Sequence, residues 1–353
     1  MLPLFHELEK SLPSRIIFSL AKRPYRTALF VLLLVLTSIF WVYHAIAAES
    51  FITLLNSGLS TQVFGPGGGR HNGSAAGLHK PVGIPMKIWQ IMLPKPRDDG
   101  PPHPPDPAQL QDTPSWLVLN PDYKYTLVGE RGGIEFVDNN FADQPAIIDT
   151  YKRLQNMGMK SDLLRYLLLY IEGGVYTDTD TVAIKGVDEW VPDFIKSEVN
   201  LVVGIEFDRR DGAAWAEIPH WLQFCQWTIA AKPKHPVFQM MVQRALYSID
   251  LLSTEVYDSP LDSISPTSFE VMNSTGPAAW TDVVFEYLQQ LDPSLEDTKD
   301  LSFMTGPKLI GDVLVLNIDG FGMGQQHSKS TNDGTIPSQA LVKHLFRGSW
   351  RTS

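Results

Sequence analysis

The stretch from Lys160 to Lys185, KSDLLRYLLLYIEGGVYTDTDTVAIK, restricts the fold more than any other part of the chain. Leu163, Leu164, Leu167, Leu168 and Ile171 recur at helical spacing, so a helix is predicted from an N-cap at Ser161 to about Ile171. Gly173-Gly174 stops it, because glycine enters the left-handed region without a Cβ penalty. Val175-Tyr176-Thr177 then reads as a short strand, and Asp178-Thr179-Asp180 falls at its C-terminal end. A helix feeding directly into a strand belongs to an α/β layer, and open α/β sheets bind ligands beyond the carboxyl ends of their strands.

The same helix places Asp162, Arg165, Tyr166 and Leu169 at i, i+3, i+4 and i+7, on one face. Two carboxylates one residue apart at a strand end can serve one hard divalent ion. An arginine nearby suits a diphosphate, and Asp162 can accept hydrogen bonds from sugar hydroxyls. Each feature alone has an ordinary explanation. Asp-x-Asp is frequent in surface loops. Asp162 could complement the helix dipole, and Arg165 could pair with Asp162 or Glu172 on a solvated face. The set at fixed spacing carries weight that no single part has: Ser-Asp-x-x-Arg-Tyr, then Gly-Gly-x-Tyr, then Asp-x-Asp.

Further strands are predicted at Lys87–Met92, at Tyr123–Val128 after the turn Asn120-Pro121-Asp122, and at Leu201–Ile205 and Val313–Ile318. Alternation with helical segments predicts one α/β domain with a largely parallel sheet from residue 84 to 353. Pro94 to Pro107 is too rich in proline for a helix or central strand and reads as a surface loop.

Upstream, Thr27 to Ala48 holds 22 residues without Asp, Glu, Lys or Arg. As a helix it would span about 33 Å, enough for a bilayer core. Ala45, Ala47 and Ala48 also leave a cleaved signal peptide open. Lys10, Arg15, Lys22, Arg23 and Arg26 stand before it against Glu7 and Glu9. The positive-inside rule therefore predicts a cytosolic tail (1–26), an anchor (27–48) and a bulk across the membrane. Residues 49–83 form a Gly- and Ser-rich stem with a glycosylation sequon at Asn72; a second sequon starts at Asn273. The first 26 residues carry a net +3, so the remainder of a chain of net charge −10 stands at −13. That is a poor match to a nucleic-acid binder, which needs a basic footprint. Cys225 is the only cysteine; among Trp221, Phe224 and Trp227 it reads as a small buried hydrophobe, not a catalytic thiol.

The central constellation resembles the DXD-containing glycosyltransferases of family 32, shared by fungal Golgi mannosyltransferases. The likeness extends to Ile84–Gln90, Asn120–Tyr123, Asn200–Glu206, Gln223–Trp227, His235–Val237, Thr275–Pro277 and Lys343–Trp350, and these flanks favour the α-1,6-mannosyltransferase branch. The resemblance implies a GT-A-like (Rossmann-like) fold, a GDP-mannose donor, Mn²⁺ with Mg²⁺ as an alternative, and transfer with retention to an N-glycan acceptor. It also implies a single-pass type II Golgi membrane protein with a lumenal catalytic domain, able to join other Golgi mannosyltransferases in a complex. Asp162, Arg165, Asp178 and Asp180 are the implied catalytic set. Trp89, Asp162, Arg165, Tyr166, Gly174 and Thr275 are the implied nucleotide-sugar set, although Thr275-Gly276-Pro277 also reads as a plain turn into a helix. His344, in a His-x-x-x-Gly-Ser-Trp pattern similar to a C-terminal metal-binding stretch, is the implied third ligand beside Asp178 and Asp180, with Trp350 closing over the site. His327 is the lesser candidate. The proline-rich insertion and Phe321–Ser330 depart from the branch's pattern. Transfer to an inositol-phosphoceramide lipid, and a non-catalytic role in a mannan-synthesising complex, are the alternatives.

The anchor reading has a direct check. Protease added to sealed membrane vesicles should spare everything after Ala48; digestion of the large domain without detergent would contradict the orientation.

Overall fold

Short strands of alternating side chains set two apolar layers on one sheet. Leu201 and Val203 face one apolar cluster and Val202 the other; Val313 and Val315 are likewise opposed to Leu314. The computed structural model describes residues 83–94, 106–215 and 218–347. The expected tail, anchor, stem to residue 82 with Asn72, most of the proline-rich loop, and Trp350 lie outside the described residues. Within those residues, no helix is long and apolar enough to cross a membrane.

The main elements follow in chain order. They are β1 (Lys87–Ile91), α1 (Thr113–Leu119), β2 (Lys124–Val128), α2 (Glu130–Asn140), α3 (Pro145–Arg153), α4 (Met157–Glu172), β3 (Gly174–Thr177), β4 (Thr181–Ala183) and β5 (Leu201–Val203). Then come β6 (Ile205–Asp208), β7 (Leu222–Phe224), β8 (Thr228–Ala231), α5 (Pro236–Leu251), α6 (Ser268–Ser274), α7 (Pro277–Leu291), β9 (Lys308–Ile310), β10 (Val313–Val315), α8 (Ile318–Gly322) and β11 (Val342–His344).

Seven strands form the main sheet in the order β2-β1-β3-β8-β5-β10-β9. β2, β1, β3, β5 and β10 run one way, and β8 and β9 run against them. The expected parallel sheet is therefore interrupted at its middle. β6 and β7 pair antiparallel, and β8 follows β7 after only Cys225–Trp227, so β8 runs on in the same sense as β7 and returns antiparallel beside β5.

Two local expectations are corrected. Leu201–Ile205 is not one strand. Gly204 breaks it, because a Cβ there would stand 2.5 Å from the Phe321 ring; β5 stays in the main sheet and β6 pairs with β7. The long helix does not start at Ser161 either. Asn156 caps it, its side chain accepting from Met159 N–H at 3.1 Å, so α4 begins a turn earlier. Every residue from Asp162 to Tyr170 is buried, so the predicted polar face is enclosed by protein.

The exit from α4 needs its two glycines. Gly173 and Gly174 take φ of +60° and +95°, and a Cβ on Gly174 would lie 2.7 Å from the Lys87 carbonyl oxygen. This close approach puts β3 against β1 and fixes where its carboxyl end emerges.

Candidate active site

Asp178-Thr179-Asp180 is the turn between β3 and β4. Threonines brace it: Thr177 Oγ1 lies 2.7 Å from Thr181 Oγ1 and 2.9 Å from Thr228 Oγ1. Thr181 Oγ1 donates to the Asp178 carbonyl at 2.7 Å, and Trp116 Nε1 donates to the Thr181 hydroxyl at 3.1 Å. Gln90 Nε2 donates to the same Asp178 carbonyl at 3.1 Å, while its Oε1 accepts from Thr113 and Tyr125. Buried polar groups persist only when bonded, so this network dictates where the two carboxylates point.

Asp178 faces two groups. Its Oδ1 accepts from the Tyr176 hydroxyl at 2.6 Å and lies 3.4 Å from Arg165 Nη1. Arg165 Nη1 also donates to the Gln226 carbonyl at 3.1 Å, and Nη2 stands 2.9 Å from Asp162 Oδ1. The guanidinium lies over the Tyr176 ring at 4.5 Å. Asp162 Oδ2 accepts from Thr275 Oγ1 at 2.9 Å. The Arg165 and Asp162 side chains are 7% and 8% exposed, which rules out a solvated surface pair. Burial pushes the Asp162 carboxyl up to about 6, although Arg165 and Thr275 pull it down. Burial also works against the Arg165 charge, but Tyr176, Asp178 and Asp162 outweigh it and hold the guanidinium protonated. Glu172, the other suggested partner, pairs instead with Lys87.

The other oxygen of Asp178 faces the C-terminal part of the chain. β11 pairs antiparallel with β4, matching His344 to Thr181, and so carries His344 to the turn. His344 Nε2 lies 3.2 Å from Asp180 Oδ1 and 3.8 Å from Asp178 Oδ2. Leu345 N–H donates to the Asp180 carbonyl and Arg347 N–H to Asp180 Oδ2, both at 2.9 Å. The Arg347 guanidinium reaches Asp112 at 2.6 Å. Burial opposes the charge on Asp180, but the His344 contact overrides it and holds this carboxyl down at about 2. For His344, burial would lower the pKa, and bonding to Asp178 and Asp180 raises it instead. Its Nδ1 lies 3.2 Å from the Phe346 N–H, an acceptor role that only the neutral ring with its hydrogen on Nε2 can fill; the charged ring loses this bond.

These three side chains fit a divalent ion. One ligand atom from each of Asp178, Asp180 and His344 lies within 4.8 Å of the others. His344 Nε2 is buried with no well-directed hydrogen bond despite its close carboxylates. Carboxylates suit Mg²⁺ or Mn²⁺, and the imidazole favours the transition ion. A ligating histidine keeps its hydrogen on the other nitrogen, so the Phe346 N–H would have to turn away from Nδ1.

The remaining expected site residues lie elsewhere or one layer back. Tyr166 donates its hydroxyl to the Thr275 carbonyl at 2.8 Å and stacks on Trp280 at 5.5 Å. Thr275 Oγ1 is committed to Asp162, and Gly276-Pro277 starts α7 as the plain-turn reading expects. Trp89 is a core residue whose Nε1 is committed to the Gly173 carbonyl at 2.8 Å. Gly174 opens β3 at the end opposite Asp178, where its place against Lys87 is structural. Both are engaged in packing the sheet, away from the Asp178 carboxylate. His327 is not in the ligand cluster; it sits in an aromatic stack beside it. Cys225 is buried, and burial pushes its thiol pKa well up, consistent with a small hydrophobe. Sequence reasoning missed Gln90, Gln226, Arg347 and the paired Thr177 and Thr181. The last pair has a visible signal, since threonines flank both aspartates. Buried Glu206, on β6, was missed as well; burial raises its pKa, while Gln223 and the His344 charge act in the opposite direction.

A family profile described as "Glycosyltransferase sugar-binding region containing DXD motif" matches residues 107–194, which include Asp162, Arg165, Asp178 and Asp180 but not His344. The initiation-specific alpha-1,6-mannosyltransferase of Candida albicans is 34% identical over 291 residues, covering 76% of this chain and 72% of that protein. The chain belongs to this DXD glycosyltransferase family. The Schizosaccharomyces pombe protein of the same name is 35% identical over 276 residues, 76% of this chain. The match takes in 64% of that relative's own length. Among solved structures, the PaToxG glycosyltransferase aligns over 61% of this chain and 74% of its own at 18% identity, with a TM-score of 0.39, too loose to build on.

For this glycosyltransferase, the buried Asp162–Arg165–Asp178 network gives a sharp expectation. Arg165→Met should lower unfolding stability by about 3–5 kcal/mol, because it strands the buried Asp162 carboxylate. Adding Asp162→Asn should recover part of that loss. Urea denaturation of the two variants checks it; a change under about 1 kcal/mol for Arg165→Met is what an exposed pair would give and would refute the reading.

Proposed function

We propose that this chain transfers mannose from GDP-mannose to a hydroxyl of an N-glycan, with α-1,6 linkage and retention at the anomeric carbon. The observation that carries the reading is the convergence of Asp178, Asp180 and His344 at one strand end. Relatives named alpha-1,6-mannosyltransferases support the sugar and the linkage. The fold is read as GT-A-like, and the protein as a type II Golgi membrane enzyme acting in the lumen.

In this reading Asp178, Asp180 and His344 would hold Mn²⁺, or Mg²⁺ in its place. When bound, the ion supplies Lewis-acid stabilisation to the departing diphosphate. Arg165 acts as a positioning residue. Both of its terminal nitrogens face Asp162, Asp178 and the Gln226 carbonyl, and the side chain is enclosed, so it aims Asp178 rather than gripping the diphosphate itself. Asp162 and Thr275 complete that support. The bond from the anomeric carbon to the diphosphate oxygen breaks as the bond to the acceptor oxygen forms on the same face. The acceptor's proton passes to the leaving phosphate, a route that calls for no enzymic nucleophile.

The test incubates the full chain with radiolabelled GDP-mannose, Mn²⁺ and a panel of mannose-terminated acceptors, followed by linkage analysis. Wild type should form an α-1,6 product. Asp178→Ala and Asp180→Ala should each lose at least about a hundredfold in rate while remaining folded; Asp178→Ala should also melt below wild type, because it removes a countercharge of Arg165. Wild-type turnover in either variant would remove the ligand assignment. A product with another linkage would overturn the acceptor reading.

A further inference from the structure

Beside the ligand cluster runs a line of aromatic rings that the transfer chemistry does not use. Phe346 meets His344 edge-on at 3.9 Å. His327 follows at 6.2 Å from Phe346, and Trp215 at 5.3 Å from His327. Phe207 backs His327 in a stacked arrangement at 6.3 Å, and Trp227 backs His344 at 4.7 Å. The outer members face solvent: Trp215 is 50% exposed and Phe346 42%. Water-facing rings of this size cost free energy unless a partner covers them.

Three separate segments build this line: the loop after β6, the loop after α8, and the turn after β11. Phe346 adopts φ of +48°, a conformation that a bulky side chain rarely takes. The backbone therefore holds an unfavourable shape that keeps this ring beside the ligand histidine. Burial lowers the His327 pKa, so that ring is neutral near pH 7 and suits an apolar contact.

We infer that Trp215, His327 and Phe346 form the acceptor subsite, a platform on which the hexose rings of the acceptor glycan stack. The inference rests on the proposed transfer reaction. An acceptor hydroxyl must reach the sugar carbon whose diphosphate sits at Asp178 and Asp180, so the reacting acceptor sugar lies within one ring of His344. A pyranose presents an apolar face of C–H groups, and aromatic faces are its chemical match. A diphosphate has no such face. The line extends outward from His344 past Phe346 to Trp215, so it can seat sugars beyond the one that reacts. It would thereby select an oligosaccharide over a single mannose.

The test compares the full-length wild type with Trp215→Ala, Phe346→Ala and Trp215→Phe. Two readouts are used: steady-state transfer from GDP-mannose, and calorimetric binding of an α-linked mannooligosaccharide without donor. Each alanine variant should raise the KM for the oligosaccharide about tenfold and weaken its binding to match, with the KM for GDP-mannose within about twofold. Trp215→Phe should recover most of the loss, which a merely structural role would not require. A rise in the GDP-mannose KM with the acceptor KM unchanged would make the line a nucleobase platform and overturn the proposal. Unchanged constants in both alanine variants, or no saturable oligosaccharide binding by wild type, would overturn it too. If wild type binds the oligosaccharide through Trp215 yet transfers nothing from GDP-mannose, the donor reading fails and the platform stands.

Discussion

The guanidinium of Arg165, almost shut off from water, joins the middle of α4 to the acidic turn after β3. A charge in that position is tolerated only if its partners replace the water it has lost. Asp162 and Asp178 supply countercharge, the Gln226 carbonyl accepts a hydrogen bond, and the Tyr176 ring lies beneath it. Removing a member leaves Arg165 or Asp162 buried with less compensation, so the network ties the helix, the sheet and the site to one geometry. Part of the cost remains on Asp162, whose carboxyl is held well above its ordinary range by burial.

The ligand cluster is assembled from two ends of the domain. The turn after β3 contributes two carboxylates, braced by Thr177, Thr181, Thr228 and Gln90. β11 contributes His344 by pairing with β4, and the following turn returns two backbone N–H groups to Asp180. A carboxylate that accepts such bonds stays ionised over a wide pH range, as a metal ligand must. The Phe346 N–H on His344 opposes metal ligation through Nε2, so the turn at residues 345–347 is the part of the site that has to move when an ion enters.

Much of this architecture is visible in the sequence, and what is hidden has physical causes. The path from leucine-rich helix through Gly-Gly to a strand and two aspartates could be read directly, because periodicity and glycine chemistry act locally. The start of α4 could not, since Asn156 is followed by Met157-Gly158-Met159-Lys160, which carries no helical stripe. The direction of β8 is not encoded in its alternation; it follows from the antiparallel pairing of β6 with β7, which β8 continues beside β5. The break at Gly204 is set by Phe321, which is remote in sequence. The enclosure of Arg165 was not legible, because helical spacing tells which residues share a face, not what covers that face. Here Thr275 and Gln226 cover it. His344 could be placed only through a motif resemblance, as the β11–β4 pairing that delivers it is long-range.

The central claim is that Asp178, Asp180 and His344 share one divalent ion. Titrating Mn²⁺ into the full chain in the presence of GDP, with free ion followed by electron paramagnetic resonance, tests it without reference to turnover. The account requires one saturable Mn²⁺ per chain, with affinity reduced at least about tenfold in Asp180→Asn and in His344→Ala while the fold is retained. Equal affinity in wild type and both variants, or no saturable binding at all, would contradict it.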